Sequence, residues 1–349
     1  MNVFQDQLAE FFQRISTLKQ VCVLGDYFLD QYQIGEVERV SPEAPVPILK
    51  HLREEYRPGG AGNVVQNLSN LGIATHCFGV IGQDPEAKRL LSLLADKLSA
   101  NTRYLVPHPS RPTSLKTRLI ARGQQLLRVD KEDSKTIEEN HSTHLYATLY
   151  QVLPKTDLLL VSDYDKGVVT FEATATLRKQ FPKLWISVDP KGNDYRKYLG
   201  ADLITPNESE AEQATGLTIR SEQDVIRCLH KLYEITQIPY ICMTRSEKGM
   251  ILFQGKTGKL TVQNAWSQRE VYDVTGAGDT VLVFVSLGLA RGIEPQTTLK
   301  IASLAAFLVI QKFGASGISM HEMVQGVSSP APLTTLAKGF GGEAPNPAR

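Results

Sequence analysis

Short apolar runs that alternate with amphipathic stretches constrain this chain more than any other feature. From residue 137 the order is regular. An amphipathic stretch at 137–152 leads to an apolar run at 157–162, and one at 169–180 leads to a run at 184–188. A short run at 202–205 precedes a helix holding Glu210 and another at 221–234, and further runs fall at 240–243, 250–254 and 259–264. Brief apolar runs suit strands covered on both faces, and helical spacing between them implies crossover connections. The fold class this predicts is α/β, a mostly parallel central sheet with helices on both faces.

The chain opens in the same rhythm. Phe4, Leu8, Phe11, Phe12, Ile15 and Leu18 recur at helical spacing, and VCVLGD at 21–26 reads as a buried strand ending in Gly25-Asp26. Val64, Val65, Leu68 and Leu71 mark one helix face, closed by Gly72; a strand follows at 75–81 and a helix at 85–98, begun by Pro85. Two segments break the pattern. Residues 31–57 hold Pro42, Pro45 and Pro47 and read as extended, edge-type strand. Residues 113–130 alternate and turn at Arg122-Gly123, which predicts a hairpin. A last helix is expected at about 296–312, and the Ser, Pro, Gly and Ala-rich tail from 326 is expected to be disordered.

Bulk properties exclude several function classes. At 349 residues and 42% hydrophobic, the chain permits one large α/β domain or two ordinary ones. Lys plus Arg number 38 against 37 for Asp plus Glu, so nothing points to nucleic acid or an anionic membrane. No apolar run reaches the length of a membrane span, and the N-terminus lacks the apolar block of a signal peptide. Cys22, Cys77, Cys228 and Cys242 are widely spaced without a CxxC, which reads as reduced thiols in a cytoplasmic protein. His141 and His144, at i and i+3, read as a solvated helix face.

Chemistry is concentrated where strands end. Gly276, Ala277 and Gly278 directly precede Asp279 and an apolar helical run. Backbone N–H groups at a helix start, with the helix dipole, make an anion hole. Asp279 beside it is placed to take a proton from an attacking hydroxyl, which points to phosphoryl transfer. A turn with a capping Asp is the competing explanation of this stretch taken alone. Asp26 and Asp30 lie beyond the carboxyl end of the first strand, where α/β sheets meet ligands. Gly59, Gly60, Ala61, Gly62 and Asn63 allow a polyol to approach the backbone. The hairpin carries Lys116, Arg118, Arg122 and Arg128, either a solvated face or a grip on a substrate phosphate. No GxGxxG follows the first strand, which argues against a nicotinamide dehydrogenase.

Together these stretches resemble the ribokinase (PfkB) family of sugar kinases. GGAGN at 59–63 is similar to that family's first signature and DVTGAGD at 273–279 to its second. RVSPEAPVP at 39–47, RPGGAGNV at 57–64, QQLLRVD at 124–130, SDYDKG at 162–167, DPKG at 189–192, TPNESE at 205–210, TRSEKGM at 244–250 and EVYDVTGAGDT at 270–280 resemble its heptose-phosphate kinase branch. The resemblance covers roughly residues 18–325. It implies a ribokinase-like fold with a small β lid at about 31–57 and 111–130, and a homodimer formed through that lid. It implies that ATP phosphorylates the C1 hydroxyl of D-glycero-D-manno-heptose 7-phosphate to the 1,7-bisphosphate, for ADP-heptose and lipopolysaccharide core.

The same resemblance implies roles for residues. Asp279 would be the base and Gly276, Ala277 and Gly278 the anion hole. Asp26, Asp30, Gly59, Gly60 and Asn63 would hold the sugar, and Lys116, Arg118, Arg128 and Lys166 its phosphate, with Lys191 a further candidate. Asn207 and Glu210 would help order Mg²⁺, while Thr244, Arg245 and Gly249 would line ATP. Asp273 and Ser316, with the 313–316 loop, would hold a monovalent cation, K⁺. Ser303 stands where that branch tends to carry Asn near the adenine. Many relatives continue into a nucleotidyltransferase domain marked by a TNGCFDxxHxGH-like segment, which does not occur here, so either a single activity or a kinase domain on its own is expected.

Overall fold

A computed structural model describes residues 3–171, 173–266 and 274–328. Helix α1 (Val3–Ile15) buries Phe4, Leu8, Phe11 and Ile15, the residues at helical spacing. Strand β1 (Val21–Gly25) is buried throughout. The chain then runs out along β2 (Tyr27–Val40) and returns along β3 (Pro47–Gly60), paired antiparallel from Tyr27 with Gly60 to Val40 with Pro47. Pro42 and Pro45 fall between these strands, where a missing N–H breaks no ladder. β3 passes directly into α2 (Ala61–Asn70) at Gly60. That residue has φ +57, and a Cβ there would stand 2.5 Å from the Asp26 carbonyl oxygen, so only glycine suits it.

Strand β4 (Thr75–Gly82) leads to α3 (Pro85–Ser92), capped by Asp84, whose side chain accepts from the Ala87 N–H. A π-helical turn over 93–97 continues it, as the expected helix to 98 requires. β5 (Asn101–His108) is a strand that the apolar pattern does not reveal. It is the edge of its sheet and only partly buried, so its sequence mixes polar residues and a proline. β6 (Ser114–Ala121) and β7 (Gln124–Lys131) form the hairpin, with Arg122 and Gly123 both at positive φ, the pair of angles a tight hairpin turn uses.

The regular half follows as α4 (Glu139–Val152), β8 (Leu158–Ser162), α5 (Ala173–Gln180), β9 (Trp185–Asp189), β10 (Leu203–Ile204), α6 (Glu208–Thr215), α7 (Glu222–Thr236) and β11 (Tyr240–Thr244). Antiparallel strands β12 (Met250–Gln254) and β13 (Lys259–Gln263) close the sheet. Helices α8 (Ala277–Ala290), α9 (Pro295–Val309) and α10 (Met320–Ser328) complete the described chain. α10 carries regular structure two residues past the expected limit of order at 326, because its Met323 packs into the core. The rest of the tail, 329–349, lies outside the described residues.

The main sheet has the order β13-β12-β11-β10-β9-β8-β1-β4-β5 and is parallel from β11 to β5. A second sheet, β3-β2-β6-β7, stands beside it. One apolar core joins α1, α2, α8 and α9 to one face of the main sheet, and another joins α4, α5 and α7 to the other. The four cysteines are unpaired and buried, and burial pushes Cys77 and Cys242 up to about 12, which leaves their thiols inert. Among the described residues no helix is long and apolar enough to cross a membrane.

Helix α8 is buried over most of its length, and Phe284 stacks on Phe11 with ring centroids 5.8 Å apart. Phe284→Ala should therefore cost about 3–5 kcal/mol, the usual range for deleting a buried aromatic ring. Urea unfolding of the two proteins measures it, and a loss below about 1 kcal/mol would contradict this account of the core.

Candidate active site

Strand β1 pairs with β4 on one side and β8 on the other, and the chain winds outward from there in both directions. This switch of winding opens a crevice beyond the carboxyl ends of the strands, the position where such sheets bind ligands. The loops after β1, β8, β9, β10 and β11 all reach this edge, and the N-terminus of α8 points at it.

Asp279 lies in the first turn of α8 and is 3% exposed. Asn63 Nδ2, from α2, donates to Asp279 Oδ2 at 2.8 Å, and the Tyr164 hydroxyl, from the loop after β8, donates to Oδ1 at 3.3 Å. Burial pushes the Asp279 carboxyl up to about 7; the bonds from Asn63 and Tyr164 oppose the rise and the nearby Asp30 adds to it. Burial also holds the Tyr164 hydroxyl well above its usual range, so it stays a neutral donor. Gly276 caps α8 with φ +86, and a Cβ on it would meet Asn63 Nδ2 at 2.5 Å. The first intrahelical bond runs from Thr280 N–H to Gly276 O, and Ala277 N–H bonds Val274 O. By helix geometry the N–H groups of Gly278 and Asp279 have no intrahelical partner, which is the donor set of an anion hole. Gly278 faces open space.

Two cavities adjoin here and share Tyr164 and Lys191; Asp279 lines the larger and its neighbour Gly278 the smaller. The larger, about 270 Å³, is lined by Phe28, Asp30, Gly59, Gly60, Asn63, Lys116, Arg118, Arg128, Tyr164, Lys191, Thr275, Gly276, Asp279 and Ala315. Asn63 Oδ1 is buried there without a hydrogen-bond partner among the described residues. The cations are balanced by acids: Arg118 pairs with Asp30, Lys116 with Asp130 and Glu132, and Arg128 with Asp130. The smaller cavity, about 150 Å³, is lined by Asp163, Tyr164, Asp189, Pro190, Lys191, Thr205, Asn207, Glu210, Thr244 and Gly278. Asn207 and Glu210 form a capping box at the start of α6, and Glu210 Oε1 accepts from Lys191 Nζ at 2.7 Å. Asp189 is held well above the usual carboxylate range, first by burial and then by Asp279 and Glu210. Lys191 lines both cavities.

Most residues singled out in the sequence therefore converge, although several stand elsewhere. Asp26 turns its Oδ2 to the backbone N–H groups of Tyr164 and Lys166, at 2.8 and 3.1 Å, and so holds the loop that carries Tyr164. Lys166 pairs with Glu132 at 2.6 Å, outside the larger cavity. Arg245 is buried between Glu208 and Glu222, where it ties α6 to α7. Gly249 begins the approach to β12 and lines neither cavity, and Ala277 supplies backbone only. Ser316 accepts from Arg57, and Asp273 lies outside the described residues. Tyr164 and Asp189 were missed as site residues, although both sit in quoted motifs. Their signal was position at a strand's carboxyl end rather than charge.

His141 is not simply a solvated residue: its ring lies 4.3 Å from that of His108, and Glu138 is close to both. His108 Nδ1 accepts from the backbone N–H of Arg111 at 3.0 Å, so the ring proton is on Nε2 and is directed at Glu138. An imidazole nitrogen that carries its proton is not a metal ligand.

This arrangement defines a small-molecule phosphotransferase of ribokinase-like fold. Solved structures share the architecture at low identity: Arabidopsis thaliana ribokinase complexed with ribose and ATP has a TM-score of 0.69 at 17% identity, covering 90% of this chain and 99% of that one. Escherichia coli phosphofructokinase-2 in complex with potassium has a TM-score of 0.73 at 18% identity, covering 90% and 100%. The chain belongs to the pfkB family of carbohydrate kinases, whose model matches residues 18–322. It is 40% identical over 322 residues to the bifunctional protein HldE of Trichlorobacter lovleyi, and 41% identical over 306 residues to that of Geobacter sulfurreducens. Those matches cover 91% and 86% of this chain but only 64% and 61% of the relatives' length.

A buried carboxylate with a folded pKa above its unfolded value favours the protonated native state. The stability that Asp279 contributes is fully present below about pH 4 and is lost as the pH rises through about 7. Asp279→Asn keeps the shape, its amide oxygen accepting from Asn63 and its amide N–H donating to a reoriented Tyr164 hydroxyl, so it should melt above the native protein by a margin that is larger at about pH 8 than at about pH 5. Equal margins at the two pH values, read by thermal denaturation, would sink this assignment.

Proposed function

We propose that this chain transfers the terminal phosphoryl group of ATP to the C1 hydroxyl of D-glycero-D-manno-heptose 7-phosphate, giving the 1,7-bisphosphate, in the cytoplasm. The observation that carries the reading is a pair of adjoining cavities at the start of α8, with Tyr164 and Lys191 in both: one, lined by Asp279, sized and polar enough for a sugar phosphate, the other, lined by Gly278, small and oxygen-rich. The HldE relatives and the branch motifs favour the heptose over other sugars.

The sugar occupies the larger cavity. Asp30, Gly59, Gly60 and Asn63 hold its hydroxyls, the buried Asn63 Oδ1 accepting one of them. Lys116, Arg118 and Arg128 receive the 7-phosphate, which displaces part of their pairing to Asp30, Asp130 and Glu132. Asp279 takes the C1 proton, with its carboxyl poised near working pH. The N–H groups of Gly278 and Asp279 hold the phosphoryl group in flight, and Lys191, reaching both cavities, follows its charge across. Thr244 borders the phosphate end of ATP. Asp189, Asn207 and Glu210 offer the oxygen donors that Mg²⁺ prefers, and burial, with Asp279 and Glu210 nearby, holds Asp189 above the usual carboxylate range. Mg²⁺ would neutralise phosphate charge when bound there.

The second sheet would act as a lid over the sugar and as the contact for a second copy of the chain. Val40, Leu52, Leu127 and Val129 on its strands are each more than half exposed, apolar surface that a dimer would cover. Replacing Leu127 and Val129 by Lys should convert a dimer to a monomer in sedimentation analysis; a native chain already monomeric at all concentrations would remove the dimer.

A coupled ADP-release assay across heptose 7-phosphate, fructose phosphate and ribose tests the reaction. Heptose 7-phosphate should be preferred, and preference for an unphosphorylated sugar would overturn the reading. Turnover should rise with pH through about 7 as Asp279 ionises. Asp279→Asn should bind both ligands yet lose about 10²–10⁴-fold in kcat; unchanged turnover would remove Asp279 as base.

A further inference from the structure

The turn after α9 is held by a positive charge from the second sheet. Arg57, near the end of β3, directs Nη1 at the Phe313 carbonyl, at the Ala315 carbonyl 3.2 Å away and at the Ser316 hydroxyl oxygen. Its guanidinium lies 5.7 Å from the ring centre of Tyr32 and 5.6 Å from that of Phe313. The Tyr32 hydroxyl accepts the Ala315 N–H at 3.0 Å, so the turn is tied to β2 as well. Ala315 is 1% exposed, lines the larger cavity and lies against the α8 cap, its Cα 3.7 Å from where a Cβ on Gly276 would stand.

Three oxygens thus converge on one cationic nitrogen. Converging carbonyl and hydroxyl oxygens are what a monovalent cation would need from this turn, and a second positive charge among them would be repelled by the first. The residues present do not fit the expected K⁺ as a ligand of Ser316. We propose that Arg57 is a positioning residue that serves as a built-in cation for the 313–316 turn. Through Ala315 it sets the Gly276 cap and the anion hole without a bound potassium ion. Guanidinium suits the task because its fixed donors and aromatic stacking orient it as a bare ion is not oriented. The effect on turnover rests on the kinase reading above; the effect on the turn does not.

The test separates the two. The native protein is melted, and its ADP release measured, in about 100 mM potassium chloride and in choline chloride of equal ionic strength, so that screening is matched. Melting temperature and kcat should be the same in both salts. A potassium-specific rise in melting temperature, or a rise in kcat above about fivefold (about 1 kcal/mol in barrier), would overturn the proposal. Arg57→Ala should lower kcat about tenfold or more with the KM for sugar phosphate nearly unchanged, and added potassium or guanidinium ion should restore part of the loss in the variant alone. Full activity in Arg57→Ala, or a loss that neither ion relieves, would count against it. Arg57→Lys, which keeps a charge, should fall between the two, and it decides the matter if the alanine variant does not fold. Absence of turnover with every sugar phosphate would refute the proposed function, while the melting comparison would still judge the cation.

Discussion

One buried carboxylate organises this molecule. Asp279 is placed by the glycine cap of α8, and its two oxygens are claimed by Asn63 from α2 and Tyr164 from the loop after β8. Those residues are far apart in the chain, at separations of 216 and 115 positions, so the site exists only when both halves of the fold are assembled. Removing a charge of this kind from water is costly, and its two donors offset only part of that cost. A carboxyl near neutrality is what the proposed proton acceptor at this position would need.

Around that point the electrostatics are arranged in two opposed regions. Toward the main sheet, Asp163, Asp189 and Glu210 crowd a small space with Lys191 and Lys197 as local counter-charges. Toward the second sheet, Lys116, Arg118 and Arg128 are each matched by a carboxylate. The acid-rich side suits a metal-bound polyphosphate, and the cation-rich side suits a phosphate monoester whose arrival exchanges one anion for another. The second sheet also exposes Val40, Leu52, Leu127 and Val129, so ligand contact and subunit contact would share one structural unit. Arg57 and Tyr32 extend that unit's reach to the turn beside the anion hole.

Much of the main sheet was legible because buried parallel strands are short continuous apolar runs and their helices have a clear face. The edge strand β5 was not, since partial burial removes the apolar signal that marks its neighbours. The same difference separates the site residues. Gly59, Gly60 and Gly276 announce themselves through composition, because few other residues tolerate such backbone angles and close approaches. Tyr164 and Asp189 are ordinary residue types, and only their place at the crevice makes them part of the site.

The sequence by itself determined the α/β class and the two excursions that make the second sheet, and it singled out Asp279 with its glycines as the candidate centre of the chemistry. These follow from local periodicity, proline placement and backbone freedom, which act over a few residues. The tertiary structure alone decided which charges face the ligand. Lys166 and Arg245 read like phosphate or nucleotide contacts, yet carboxylates at Glu132, Glu208 and Glu222 claim them. Asp26 reads like a sugar ligand, yet backbone N–H groups claim its Oδ2. Arg57 reads as part of an extended segment, yet it bonds oxygens of the 313–316 turn far along the chain. The physical reason is the same in each case: a charge acts on whatever partner folding brings within a few ångströms, and that neighbour is set by contacts across the chain rather than by adjacent residues.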